Sequence, residues 1–227
     1  MIYLIIILGL IIGSFISAVT YRIPRNLGFV KGRSFCDSCK AELKWYDNIP
    51  LFSYLFYRGA SRCCNQKISL RYPLIELFTA LGFVVLYLFS LPVIYYLLFT
   101  SSLIIFVIDL EHQIIPDEFS WLLLLLAFYF LHSTFYISLF SGFLFSLILL
   151  ILYLSTSGRG MGLGDVKLAI PLGFILGLSK GVTWLILSFI IGGIVAVVLL
   201  LLKRAKLKTK IAFGPFLIIA FWIILLL

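Results

Sequence analysis

Eight apolar stretches, at residues 2–20, 73–90, 92–109, 119–135, 137–155, 166–178, 181–202 and 211–227, leave little of this chain free to build a water-soluble core. An α-helix rises about 1.5 Å per residue, so crossing a hydrocarbon layer of about 30 Å takes about 20 mostly apolar residues. Inside that layer each backbone amide and carbonyl must find its partner within the protein, which helices do internally. With 63% apolar and 12% charged residues in 227, and a mean hydropathy of +1.19, the chain is predicted to be an all-α polytopic membrane protein of about eight transmembrane helices. Its lipid bilayer is then its main solvent. The first stretch has no basic residue ahead of it and no small-residue cleavage site leading into a soluble domain, so it reads as a retained helix and not a signal peptide.

One long polar insertion interrupts the pattern, between Tyr21 and Arg71, and it holds all four cysteines. The expected organisation is therefore a first transmembrane helix over 1–20, a small extramembrane domain over 21–71 and seven membrane helices over 72–227. The insertion carries ten Lys or Arg against three acids, and the connection from Lys203 to Lys210 carries five more basic residues. Basic loops stay on the cytoplasmic side of a membrane. With eight spans, both clusters fall on that side if the N-terminus is outside. The net charge of +9 is thus an orientation signal, and nucleic acid is not expected as a partner. No internal repeat or heptad array is visible.

Outside the insertion there are six acids: Glu76, Asp109, Glu111, Asp117, Glu118 and Asp165. An ionisable group at membrane depth is costly and points to function. Asp109 ends the third stretch, and Pro116 after it must stop a helix and turn the chain into the next. Asp117 then reads either as a helix cap or as support for that loop. Asp165 closes Gly162-Leu163-Gly164-Asp165 at the start of a helix, where glycine permits close approach of another segment. By span counting, Asp109 and Asp165 reach the same cytoplasmic edge. Two carboxyls sharing one site do not both ionise cheaply: one keeps a proton and polarises a carbonyl while the other activates water. That is the pair an aspartyl peptidase needs.

Cys36 and Cys39 have the spacing of a thiolate knuckle, and Cys63 and Cys64 follow about two dozen residues later. Together they suit a structural zinc site, since four thiolates leave no open coordination position for catalysis. Ser61 stands where a second Cys-x-x-Cys pair with Cys64 would begin. Three cysteines with another ligand, free thiols, and Cys63 as the substitute all remain open on spacing alone.

These residues resemble the bacterial type IV prepilin peptidase family, also called prepilin leader peptidase/N-methyltransferase, among the Gly-x-Gly-Asp intramembrane aspartyl proteases. The resemblance runs over nearly the whole chain: Gly13-Ser14-Phe15 with Tyr21-Arg22-Ile23-Pro24, Cys36-x-x-Cys39, Asn48-Ile49-Pro50, Arg71-Tyr72-Pro73-Leu74-Ile75-Glu76, Asp109 with Ile115-Pro116-Asp117, Gly162-Leu163-Gly164-Asp165-Val166-Lys167, and Phe213-Gly214-Pro215-Phe216. It implies removal of a short basic leader after glycine from type IV prepilins or pseudopilins of pilus, secretion or competence systems, in the bacterial inner membrane. Asp109 and Asp165 match the catalytic pair, with Gly162, Gly164, Lys167, Pro116 and Asp117 as support of the catalytic loops. It also implies methylation of the new N-terminus with S-adenosylmethionine, for which Arg71, Tyr72 and Glu76 are the candidate residues. Ser17 and Ser61 depart from the family pattern, which usually has asparagine and cysteine there; the first touches the methylating half and the second the metal site. The alternatives are a peptidase with an inactive methyltransferase half, a small transporter with paired carboxylates near the midplane, and a membrane scaffold that binds partners through its cysteine loop.

Overall fold

The computed structural model describes residues 1–227 apart from 29–33, 37, 45–46, 48, 131–134, 159 and 204–208. Asp37 of the first cysteine pair, Asn48 of the Asn-Ile-Pro motif and the middle of the basic connection 203–210 therefore lie outside the described residues. Among the described residues eight α-helices follow one another: α1 Ile2–Arg22, α2 Phe52–Phe56, α3 Arg71–Leu88, α4 Val93–His112, α5 Asp117–Ala127, α6 Phe135–Ser155, α7 Leu163–Leu201 and α8 Gly214–Leu226. Apart from two isolated antiparallel bridges in the insertion, the described residues outside these helices are turns, short 3-10 segments and irregular chain.

The eight expected stretches thus map onto seven helices, with α2 inside the polar insertion. Among the described residues, five segments are long and apolar enough to cross a membrane: Ile2–Arg25, Arg71–Leu88, Val93–His112, Tyr136–Ser155 and Leu163–Leu201. The 11-residue α5 and 13-residue α8 are shorter than a full span. Helix α7 holds the two stretches expected at 166–178 and 181–202, as two helical segments that meet at Gly177. Its 39 residues would run about 58 Å if straight, well beyond a bilayer core. The helix is broken at Gly177, whose φ of 70° and ψ of −174° belong to glycine alone.

The chain forms two compact units, Met1–Ile104 and Ile105–Leu227, and the division falls within α4. In the first unit α1 packs on α3. Gly9 and Gly13 of α1, four residues apart, make this possible: a Cβ on Gly9 would lie 2.7 Å from the Ala80 Cα, and one on Gly13 would lie 2.6 Å from the Glu76 Cα. Small residues at this spacing let membrane helices touch backbone to backbone. The contact ends in polar bonds, as the Arg71 guanidinium donates to the Thr20 hydroxyl at 2.7 Å and to the Ser17 carbonyl at 3.4 Å.

In the second unit α7 packs against α5, α6 and α8. Buried hydroxyls of α6 bond the backbone of α7. Breaking a helix at Gly177 deprives the preceding carbonyls of their usual donors, and the Ser141 hydroxyl donates to the Gly173 carbonyl at 2.8 Å. Ser146 likewise donates to the Val166 carbonyl at 2.9 Å. On the other flank the Trp184 indole, fully buried, donates to the Leu217 carbonyl of α8 at 2.8 Å.

The α1–α3 contact yields a direct expectation. Gly13→Leu forces a side chain into the α3 backbone and should destabilise the purified protein by about 1–3 kcal/mol, read as earlier thermal unfolding in detergent. Gly28→Ala, where an added Cβ meets nothing within 4 Å, should stay within about 0.5 kcal/mol of wild type.

Candidate functional site

Asp109 lies in the last turn of α4, three residues before the helix ends at His112. The chain then crosses to α5, whose N-cap is Pro116 in an extended conformation with φ of −70° and ψ of 128°. Pro116 therefore stops one helix and starts the next, as its lack of an amide requires. Asp165 lies in the first turn of α7, where its Oδ2 accepts the Gly162 amide at 3.0 Å. That bond satisfies one of the unpaired donors at the helix start.

The two carboxyls share one cavity of about 310 Å³, lined by Asp109, Gln113, Ile114, Ile115, Asp117, Gly162, Leu163, Gly164, Asp165 and Lys167. Both side chains are 4% exposed, and the Asp109 charge acts on Asp165. Asp109 Oδ2 and Asp165 Oδ1 are buried without a hydrogen-bond partner. Oxygens in that state are available to a proton, a water or an incoming peptide.

Two glycines set this geometry. A Cβ on Gly164 would meet the Ile115 side chain at 2.9 Å, so the turn before α7 closes onto the loop after α4. A Cβ on Gly214 would fall 2.6 Å from Asp109 Oδ2, and the Gly214 amide is directed at the same carboxylate. The first residue of α8 thus belongs to the site. Sequence reading placed Gly214 in a motif but gave it no role; the signal available was a Gly-Pro pair opening an apolar stretch, which also marks any helix start.

Lys167 donates to both oxygens of Asp117, at 2.8 and 3.0 Å, tying the second turn of α7 to the first turn of α5. Asp117 is therefore an ion-pair partner and not a cap: it is the first residue of α5, and no side chain caps that helix. Gln113 donates to the Lys210 carbonyl at 3.0 Å, fastening the same loop to the segment before α8.

The remaining candidates lie in the Met1–Ile104 unit. Glu76 is 7% exposed and accepts the Leu51 amide at 2.8 Å, with Ser14 beside it. Tyr72 and Glu76 line a second cavity of about 190 Å³, together with Ser14, Ser17, Tyr21, Arg22, Cys36, Tyr54 and Tyr57 among others. Arg71 adjoins it through Tyr72, over whose ring its guanidinium lies at 5.6 Å.

All four cysteine sulfurs lie within 4.8 Å of one another. The Cys39 and Cys63 sulfurs are 2.9 Å apart, and those of Cys36 and Cys64 are 3.7 Å apart. A tetrahedral zinc with bonds of about 2.3 Å needs sulfurs about 3.8 Å apart, so the cluster has the right size for one ion. Burial works against the Cys36 thiolate, but hydrogen bonds from the Cys39 backbone and the Ser61 hydroxyl outweigh it and bring this thiol down to about 6. Contact with the Cys63 sulfur pushes Cys39 up to about 12.

The N-terminal part of the chain, residues 7–90, matches the family model for the bacterial peptidase A24 N-terminal domain, and residues 95–197 match that of the type IV leader peptidase family. Among curated relatives, the prepilin leader peptidase/N-methyltransferase of Pseudomonas aeruginosa is 34% identical over 263 aligned positions, covering 97% of this chain and 88% of the relative. Proteins of the same name from Neisseria gonorrhoeae and Vibrio cholerae are 32% and 31% identical, covering 96% and 98% of this chain and 87% and 96% of the relatives. No solved structure matches the chain.

The side chains of Lys167 and Asp117 are 49% and 58% exposed, which fixes what their pairing contributes. Lys167→Ala and Asp117→Ala should each cost no more than about 1 kcal/mol, measured by thermal unfolding in detergent, and the loss should shrink as salt is raised from about 0.1 to 0.5 M. A salt-independent loss of several kcal/mol would contradict an exposed pair.

Proposed function

We propose, since this chain belongs to the type IV leader peptidase family, that it is an intramembrane aspartyl endopeptidase which removes the basic leader of type IV prepilins or pseudopilins after glycine. The observation that carries this reading is the pair of buried, incompletely bonded carboxyls on one cavity. Asp109 and Asp165 are the catalytic residues. One carboxylate takes a proton from the attacking water while the other, protonated, gives its proton to the scissile carbonyl oxygen; as the C–N bond breaks, the proton taken from water passes to the leaving amine and a hydroxyl proton of the diol returns to the second carboxylate. The Gly162 amide holds Asp165, and Gly214 packs directly against the Asp109 carboxyl. Lys167, Asp117, Pro116 and Gly164 fix the loops that carry them. A transporter would hold its acids near the midplane, whereas these two lie at helix ends.

In the bacterial inner membrane the basic insertion and the basic connection before α8 face the cytoplasm, and the N-terminus faces out. The carboxyls then meet cytoplasmic water at the membrane edge, where a leader on the cytoplasmic side can reach them.

The Met1–Ile104 unit carries the methyl transfer that the relatives' name records. Tyr21, Tyr54, Tyr57 and Tyr72 with the Glu76 carboxylate line its cavity, and aromatic faces with a carboxylate suit a sulfonium cation. S-adenosylmethionine, when bound, supplies the methyl group to the amine that cleavage exposes. Arg22 can meet its carboxylate, and Arg71 holds Tyr72 and the α1–α3 contact in place. The four cysteines hold a structural zinc that orders the insertion.

Asp109→Asn and Asp165→Asn should each lower leader cleavage by about 10²–10⁴-fold, scored by mass spectrometry of a prepilin-like substrate in lipid. Gly214→Ala should lower it about 100-fold by displacing Asp109. All three variants should still methylate a peptide supplied already cleaved. Full cleavage by either asparagine variant would contradict the aspartyl mechanism.

A further inference from the structure

The two cysteine-bearing turns are copies of one another, displaced by 25 residues. In the first, Phe35 and Glu42 form an antiparallel bridge, the Cys36 amide donates to the Ala41 carbonyl at 2.9 Å and the Lys40 amide to the Cys36 carbonyl at 2.9 Å. In the second, Ala60 and Lys67 bridge, the Ser61 amide donates to the Gln66 carbonyl at 2.8 Å and the Asn65 amide to the Ser61 carbonyl at 2.8 Å. The residues that close the turns match too, with φ of +59° at Lys40 and +58° at Asn65.

This backbone correspondence gives each side chain a counterpart. Cys64 takes the place of Cys39. Ser61 takes the place of Cys36, and Cys63 takes the place of Ser38: serine and cysteine have exchanged positions between the two turns. A symmetric pair of turns would therefore present three sulfurs and the Ser61 hydroxyl. Ser61 is indeed buried, with its Oγ 3.3 Å from the Cys36 sulfur and 3.0 Å from the Cys63 sulfur. Yet the Cys63 sulfur, from a position that is not a ligand place in the first turn, reaches Cys39 at 2.9 Å and completes the cluster.

We propose that Cys63 has taken over the fourth metal-ligand place, which the turn geometry assigns to Ser61, and that the Ser61 hydroxyl now donates a hydrogen bond to the Cys36 or Cys63 thiolate. The inference rests on the structural zinc proposed above. Four thiolates around one Zn²⁺ leave two net negative charges, and a donor held against a ligating sulfur offsets part of that charge and fixes the sulfur's direction. Cys63 is thus a ligand that departs from the repeat, and Ser61 is a positioning residue for it.

The test uses the purified full-length chain in detergent, with metal content by mass spectrometry, zinc affinity by competition with a chromogenic chelator, and the absorption of the cobalt-substituted protein as a count of thiolate ligands. Wild type should hold one zinc and give a four-thiolate cobalt spectrum. Cys63→Ser should lose at least about 100-fold in zinc affinity and lose the four-thiolate spectrum, and adding Ser61→Cys to it should restore both. Ser61→Ala should keep one equivalent and the four-thiolate spectrum while binding zinc about 10-fold more weakly. A Cys63→Ser protein with wild-type affinity and spectrum overturns the ligand assignment alone, as does failure of Ser61→Cys to restore the site. Loss of the four-thiolate spectrum in Ser61→Ala overturns the role given to the hydroxyl. A wild-type chain that takes up neither zinc nor cobalt overturns the metal reading itself, and this assignment with it.

Discussion

A buried carboxyl is costly unless its surroundings hold it in place, and the Ile105–Leu227 unit carries two with one oxygen of each unbonded. Much of that unit's local architecture serves to keep them in place. Both sit within one turn of a helix end: the Gly162 amide bonds Asp165, and Gly214 packs against Asp109. The segments bearing these residues approach closely because glycines stand at the contacts, Gly164 against Ile115 and Gly214 against the Asp109 carboxylate. Helix α7 can start at the site and still cover the length of two expected spans because it breaks at Gly177, with the Ser141 and Ser146 hydroxyls bonding carbonyls along its first segment.

The Met1–Ile104 unit solves a different problem with similar means. Its glycine-mediated α1–α3 contact leaves no room for side chains between the backbones, and polar groups collect at the end of that contact, where Arg71, Thr20 and Glu76 are bonded. The insertion beyond it has little hydrophobic core of its own, since many of its large apolar residues, such as Phe52, Leu55 and Phe56, are exposed. Small domains of this kind need a staple. The two matched turns, with four sulfurs at the spacing of one ion, supply a place for it.

Much of this was legible in the sequence because the bilayer imposes a simple rule on composition: apolar stretches of span length are helices, and the acids left among them stand out. Asp109 and Asp165 were identifiable from that rule and from the flanking Pro116 and Gly164. The boundaries were less so. The run from 166 to 202 divides at Gly177, close to the gap expected between its two stretches, but the expected stretch 119–135 holds an α5 of only 11 residues. Asp117 read equally as a cap or as loop support, because its partner, Lys167, lies fifty residues away. The repeat between the two cysteine turns was invisible as sequence, since it lives in hydrogen bonds and φ angles while serine and cysteine have changed places. Gly214 had no role on paper because an amide's direction is not written in the residue's identity.

On the proposed mechanism, two coupled carboxyls, one protonated and one ionised, carry out the cleavage together. The most direct measurement is the pH dependence of kcat/KM for leader removal by the wild-type chain in lipid. A bell-shaped profile with two apparent pKa values belonging to the pair is what the account predicts. A flat profile, or one with a single limb, would contradict it.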